Sequence, residues 1–226
     1  NGFFFANIES KLLENKNNSL DIIYDFKLGD RAIIKKIIFK GDKKFRDTKL
    51  RNVIKSEEGK FWKIITSNKY LDERRTALDE SLLKEFYLNK GYFNVKIKSS
   101  YAKNIDNKLF ELSFNIESGE KYYFDSVSAD LKSIFKDEYS IEIMSVLNEL
   151  KGQKYSQKKL NKVLEEINKI ALQNEYVFID TEYNLTVSDR NKINVELIFD
   201  DLEKFYVEQI NIFGNFITEE KVIRNS

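Results

Sequence analysis

The sequence predicts an α+β protein made of tandem two-layer units. Each is a strand–helix–helix–strand–strand run that packs a three-stranded mixed sheet under two helices. Three recurrences in fixed order carry that prediction. The first is a strand of alternating apolar positions ending in a glycine turn, "RAIIKKIIFKGDKKF" at 31–45 and "FYVEQINIFGNF" at 205–216. Ile37 and Phe39 stand to Gly41 as Ile210 and Ile212 stand to Gly214. The second is an aromatic strand after a helix end: "NGFFFANI" from Asn1, "NKGYFNVKI" from Asn89 and "NEYVFIDTEY" from Asn174. The third is an alternating strand closed by a charged turn: "LDIIYDFKLGDR" from Leu20, "FELSFNIESGEK" from Phe110 and "INVELIFDDLEK" from Ile193. In that last set Ile22, Leu112 and Val195 align, as do Tyr24, Phe114 and Leu197, and Phe26, Ile116 and Phe199. The spacing of these copies is that of a small domain, not of a solenoid rung.

Taken in order, residues 1–31 read as the last two strands of a preceding unit. A complete unit spans 32–121, a second spans 122–204, and 205–226 opens a further one in which Thr218 starts a helix. In the first complete unit Leu50, Val53 and Ile54 follow helical spacing, with Asp47 or Thr48 placed to cap the first turn. A longer helix runs from about Leu71 to Asn89 with Leu71, Leu78, Leu82 and Phe86 along one face. The second unit opens with Val127 and Ala129 where Ile37 and Phe39 stand, but Asp130 and Leu131 replace the glycine turn. Its helices carry Ile143, Val146, Leu147 and Leu150, ending near Gly152, then Leu160, Val163, Leu164, Ile167 and Ala171 behind a Ser156 cap. The joins are short, Gly29-Asp30-Arg31 and Gly119-Glu120-Lys121. Gly41, Gly91, Gly119 and Gly214 all fall at turns and are expected to be structural.

Composition excludes several kinds of function. The chain has 226 residues, 38 basic and 37 acidic, for a net charge of +1, with lysines interspersed among acids. No basic field is left to recruit nucleic acid. Histidine and cysteine are absent, which removes the serine and cysteine triads, the usual zinc sites and any disulfide framework. Adjacent acids at Glu57-Glu58, Glu165-Glu166, Asp200-Asp201 and Glu219-Glu220 diverge on either a helix or a strand, so they do not form an acid/base pair. Catalytic residues, metal and cofactor are therefore all expected to be absent. Phe61 and Trp62 form an aromatic pair that can bury in its own unit, in a neighbouring unit or in a partner.

The tandem order, with "NKGYFNV" after the second helix and "FNIESGEKYYF" across the join, resembles the POTRA family. The stretch "FWKIITSNKYLDERRTALDESLLKEFYLNKGY" at 61–92 resembles the third of the five POTRA units in outer-membrane protein assembly factors of Gram-negative bacteria. On that likeness residues 122–204 resemble the fourth unit and "FYVEQINIFGNF" the start of the fifth. The fourth unit departs from the pattern in its missing glycine turn and in Tyr176, which stands where Gly2 and Gly91 do. The resemblance implies a periplasmic array beneath a C-terminal membrane β-barrel. Its implied partners are unfolded outer-membrane proteins, accessory lipoproteins and periplasmic chaperones.

It also implies recognition by strand addition at the second strand, here Tyr92–Lys98, with Val177–Tyr183 as its counterpart. Alternation then turns Phe93, Val95 and Ile97 to the helices and Tyr92, Asn94, Lys96 and Lys98 to solvent. The candidate edge residues are Tyr92, Asn94, Val95, Lys96, Ile97 and Lys98. Lys96 and Lys98 equally suit an edge guarded against aggregation. Three alternatives stay open: a structural spacer, a lipoprotein-docking module, or the arm of a related export barrel.

Overall fold

The computed structural model describes residues 3, 6–15, 19–59, 67–103, 108–131, 135–174, 179–188 and 191–201. The first strands, β1 (Asn7–Glu14) and β2 (Leu20–Lys27), form an antiparallel hairpin in which Ile8 faces Phe26 and Leu12 faces Ile22. Two strand–helix–helix–strand–strand units follow. The first comprises β3 (Ile33–Asp42), α1 (Asp47–Arg51), α2 (Glu73–Leu88), β4 (Lys96–Lys103) and β5 (Leu109–Glu117). The second comprises β6 (Tyr123–Ala129), α3 (Asp137–Asn148), α4 (Gln157–Gln173), β7 (Ile179–Ser188) and β8 (Lys192–Asp201).

Each unit forms a three-stranded mixed sheet in the same order, β3-β5-β4 and β6-β8-β7. The last strand sits in the middle, parallel to the first and antiparallel to the second. The registers coincide as well. Ile37 pairs with Leu112 and Phe39 with Phe114, while Val127 pairs with Val195 and Ala129 with Leu197. Alternation alone had placed Val127 and Ala129 at those positions, because a period of two fixes which side chains share a face.

Two separate cores result. In the first unit Ile34, Ile37, Leu50, Leu71, Leu83, Leu112, Phe114 and Ile116 are almost fully buried. Phe45 adds an edge-to-face cluster with Phe86, Tyr87 and Tyr92 at ring separations of 4.9, 5.1 and 5.9 Å. In the second unit α4 presents Leu160, Val163, Ile167 and Ala171 to the core, and the Ser156 hydroxyl caps it by accepting from the Lys159 N–H.

Two helix expectations need correction. Helix α1 begins at Asp47 behind Arg46 with no side-chain cap, so neither Asp47 nor Thr48 caps it. Asp47 instead pairs with Lys43. On α2 the buried residues are Thr76, Asp79, Leu83 and Tyr87, while Leu78 is exposed and Leu82 and Phe86 are half-buried. The face is turned by one residue because Asp72 caps the helix and Asp79 is drawn inward. The Asp79 carboxylate accepts from the backbone N–H groups of Lys55 at 2.6 Å and Ser56 at 3.2 Å, tying the loop after α1 to α2.

Candidate functional site

A three-stranded sheet has two outer edges, and an edge carries unpaired backbone groups unless something covers them. In both units the first strand's edge is covered, along β3 in the first and at the start of β6 in the second. Ile37 N–H donates to Glu58 Oε1 at 3.0 Å, and Arg51 Nη2 donates to the Ile37 carbonyl at 2.6 Å. Arg51 and Glu58 also pair with each other. Farther along β3, Ile34 donates to the Lys69 carbonyl at 2.8 Å and accepts from Gly59 N–H at 2.7 Å. The start of β6 is closed in a similar way: Phe124 N–H donates to the Gln153 carbonyl at 2.9 Å and its carbonyl accepts from Gly152 N–H at 2.8 Å. That leaves β4 and β7 as the outward strands.

Direction along β4 follows from one bond. Ser99 N–H donates to a Glu80 carboxylate oxygen on α2, so it points away from β5. The β4–β5 register runs without a shift from Lys96 to Lys103, and backbone groups alternate sides along it. Lys96, Lys98 and Ser100 therefore turn their N–H groups into the ladder, while their side chains are exposed. Ile97 packs against the core, as alternation required. The Tyr101 hydroxyl donates to Glu73 at 3.2 Å on the same side.

The candidate edge starts four residues later than the sequence suggested. Strand β4 begins at Lys96, and Tyr92–Val95 form the turn that leads to it. Tyr92 is buried in its own core, so it does not face solvent on the edge. Val95 is also buried. Phe93 does not face its own helices. It leaves its unit and packs against Tyr122 and Tyr155 of the next, with ring centroids at 5.6 and 4.9 Å. Asn94 donates to the Tyr122 hydroxyl at 2.6 Å. The turn builds the joint, and only Lys96 onward builds the edge.

That joint is held by backbone as well. Gly91, at φ +99°, accepts from Tyr122 N–H at 2.8 Å. Asn89, the residue that ends α2, accepts with its side-chain oxygen from Lys158 N–H at 2.8 Å and from the Ser156 hydroxyl at 3.1 Å. One unit's helix end thus caps the next unit's helix start. A cleft of about 280 Å³ lies here, with Lys90, Lys121, Lys154 and Lys159 on its walls. Nearby, the Lys44 ammonium and the Ser118 hydroxyl hold the Asp42 carboxyl below the usual carboxylate range. Burial pushes the Tyr87 phenol up, and pushes that of Tyr155 up to about 12.

Gly41 and Gly119 take positive φ values of +84° and +66°. Phe61, Trp62, Gly214, Val177 and the stretch 205–226 lie outside the described residues. Sequence reasoning missed Glu80, Asp79, Asn89 and the Arg51–Glu58 pair. Only Asp79 left a trace, since counting from the Asp72 cap places it on the face of Thr76 and Leu83. Among the described residues no helix is long and apolar enough to cross a membrane, which says nothing of a β-barrel.

Residues 32–119 match the POTRA family, described as a surface antigen variable number repeat. The chain is 25% identical over 221 residues to the outer membrane protein assembly factor BamA of Neisseria meningitidis serogroup B, covering 96% of this chain and 27% of that protein. It is 23% identical over 222 residues to BamA of Neorickettsia risticii, covering 96% of this chain and 29% of that protein. The chain thus spans less than a third of these relatives. Its backbone is similar to the crystal structure of Haemophilus influenzae BamA POTRA3-5, with a TM-score of 0.52 at 14% identity over 87% of this chain and 73% of that one. It is also similar to Haemophilus ducreyi BamA lacking POTRA domains 1–3, with a TM-score of 0.55 at 11% identity over 75% of this chain and 29% of that one. At such identities these structural likenesses establish the fold.

Proposed function

We propose that this chain is the periplasmic arm of a BamA-type outer-membrane protein assembly factor, supported by the POTRA match of residues 32–119 and by the similarity to BamA proteins over 96% of the chain. In this reading it receives unfolded outer-membrane proteins, and docks accessory lipoproteins, by adding their extended segments to a sheet edge. Periplasmic chaperones deliver such clients, and a C-terminal membrane β-barrel accepts them. The observation that carries the reading is the asymmetry of the sheets. The first strand's outer edge is closed by its own unit, along β3 in the first unit and at the start of β6 in the second, and the second strand is left outward in both. Backbone pairing there is tolerant of guest sequence, which suits a receptor for many chains.

Residues 32–121 and 122–204 are read as complete units, 1–31 as the closing strands of a preceding one, and 205–226 as the opening of another. Supporting this, Leu20, Ile22, Tyr24 and Phe26 of β2 are exposed, while Phe110, Leu112, Phe114 and Ile116 at the matching positions of β5 are buried. The face on β2 is the one that helices cover in the two later units.

The test is photocrosslinking in cells carrying the full-length gene, from a benzophenone residue at each second-strand edge, Ser100 on β4 and Asn184 on β7, with buried Phe114 as control. Adducts to many nascent outer-membrane proteins are expected. A single discrete adduct to one lipoprotein would make the edge a docking site only. Silence from a folded protein would reduce the array to a spacer.

A further inference from the structure

The two outward strands are not equivalent, and the difference lies in one helix residue. Ser99 pairs across the sheet with Phe114, and Tyr183 pairs with Leu197. Phe114 and Leu197 hold the same place in the two sheets, opposite Phe39 and Ala129. The outward N–H of Ser99 on β4 therefore corresponds to that of Tyr183 on β7. On β4 this donor is taken by Glu80, a half-buried carboxylate on α2. Two turns earlier on α2, Glu73 lies along the same strand and accepts from the Tyr101 hydroxyl. Beside β7, α4 offers neutral groups that bond side chains instead. Gln157 Nε2 donates to the Tyr183 hydroxyl at 2.9 Å, and the Thr181 hydroxyl donates to Asn168 Oδ1 at 2.8 Å. Among the described residues no side chain takes the Tyr183 N–H.

An added strand must place a carbonyl oxygen on each outward N–H it meets. At Ser99 that oxygen would have to displace a charge-assisted hydrogen bond, which is stronger than the neutral bond replacing it. It would also sit against a carboxylate of the same sign of partial charge. At Tyr183 no side chain among the described residues has to be displaced.

We propose that Glu80 withholds the β4 edge from strand addition, so that an extended guest pairs with β7 of the second unit in preference to β4 of the first. This inference rests on the strand-addition reading and specifies which edge of the array performs it. The side chain closes one edge at one point, so removing it opens β4 without altering β7.

The experiment uses the full-length protein with benzophenone at Ser100 on β4 or at Asn184, the matching exposed position on β7. The probe is a fluorescein-labelled peptide of alternating threonine and valine, capped with lysines. In the unaltered protein the adduct from Asn184 should exceed that from Ser100 by about tenfold, the factor a single hydrogen bond of this strength corresponds to. Glu80→Ala should raise the Ser100 adduct by about tenfold and leave the Asn184 adduct unchanged. Glu80→Gln, whose amide oxygen still accepts the N–H, should raise it less. Equal adducts at both edges before any substitution would overturn the proposal. So would a Ser100 adduct that stays low in a Glu80→Ala protein whose thermal unfolding is unaltered. If neither edge captures the peptide in any variant, strand addition itself fails and this inference falls with it.

Discussion

Asp79 offers the sharpest test of how the first unit is held together. Its side chain is fully buried on α2, and its two oxygens receive the N–H of Lys55 at 2.6 Å and of Ser56 at 3.2 Å. Ser56 is itself buried. Replacing Asp79 with alanine strands both donors, and a buried donor left without a partner costs about 1–3 kcal/mol. Some water enters the space left by the carboxylate, so the loss should fall near 2–4 kcal/mol rather than at the upper sum. Against a domain stability of roughly 5–15 kcal/mol, that is a large fraction. Asparagine keeps one accepting oxygen but turns an N–H₂ toward a donor, so it should cost about half as much. Far-ultraviolet circular dichroism follows the loss of this unit's helices and strands in urea. With a slope of about 1–3 kcal/mol per molar urea, the midpoint should drop by roughly 1–2 M for Asp79→Ala. A drop below about 0.3 M would refute the reasoning, because it would mean that the loop donors find other partners at no cost. Equal losses for alanine and asparagine would show that charge, and not acceptance, is what matters.

Four further outcomes follow from the same geometry. At Gly41 a Cβ would lie 2.3 Å from the Ile116 carbonyl oxygen on a backbone with φ +84°, so Gly41→Ala should destabilise its unit by about 2–4 kcal/mol in the same urea assay. At the joint, Asn89→Ala and Phe93→Ala should each weaken coupling between the units by about 1 kcal/mol, read as separation of their unfolding transitions while the native circular dichroism is unchanged. Proline at Lys98 should unfold β4, because that N–H enters the ladder, whereas proline at Ser99 removes only an outward donor and should leave circular dichroism near that of the parent. The last outcome concerns pH. The buried Tyr155 phenol holds its proton up to about 12, while in the unfolded chain it is lost near 10. The folded state thus binds more protons above pH 10, so stability should fall as pH rises from about 10 toward 12, and Tyr155→Phe should flatten that fall.

What the sequence determined by itself was the repeat, the class and the inward face of most elements. Alternation on β3, β5 and β8 and the helical spacing on α4 are local properties of residue type. A side chain's apolarity does not depend on which neighbour it meets, which is why Ile37 and Val127 could be set in one register before any fold was known. The Ser156 cap was legible for the same reason, since its acceptor and donor lie within one turn.

The edge and the joint were another matter. Whether Tyr92 starts a strand or fills a core depends on where the chain turns after Gly91. Whether Phe93 belongs to its own unit depends on how closely Tyr122 and Tyr155 of the next approach it. Which N–H of β4 points outward depends on register parity, and its capture by Glu80 on the point where α2 crosses the strand. Helical spacing sets Asp79 on the face of Thr76 and Leu83, but it is held there as a carboxylate because two N–H groups of a distant loop converge on it. Hydrogen-bond partners far apart in the chain are matched by packing, with nothing in either residue alone to announce the match. Tertiary structure alone therefore decided which strand edge is open and what holds the other one shut.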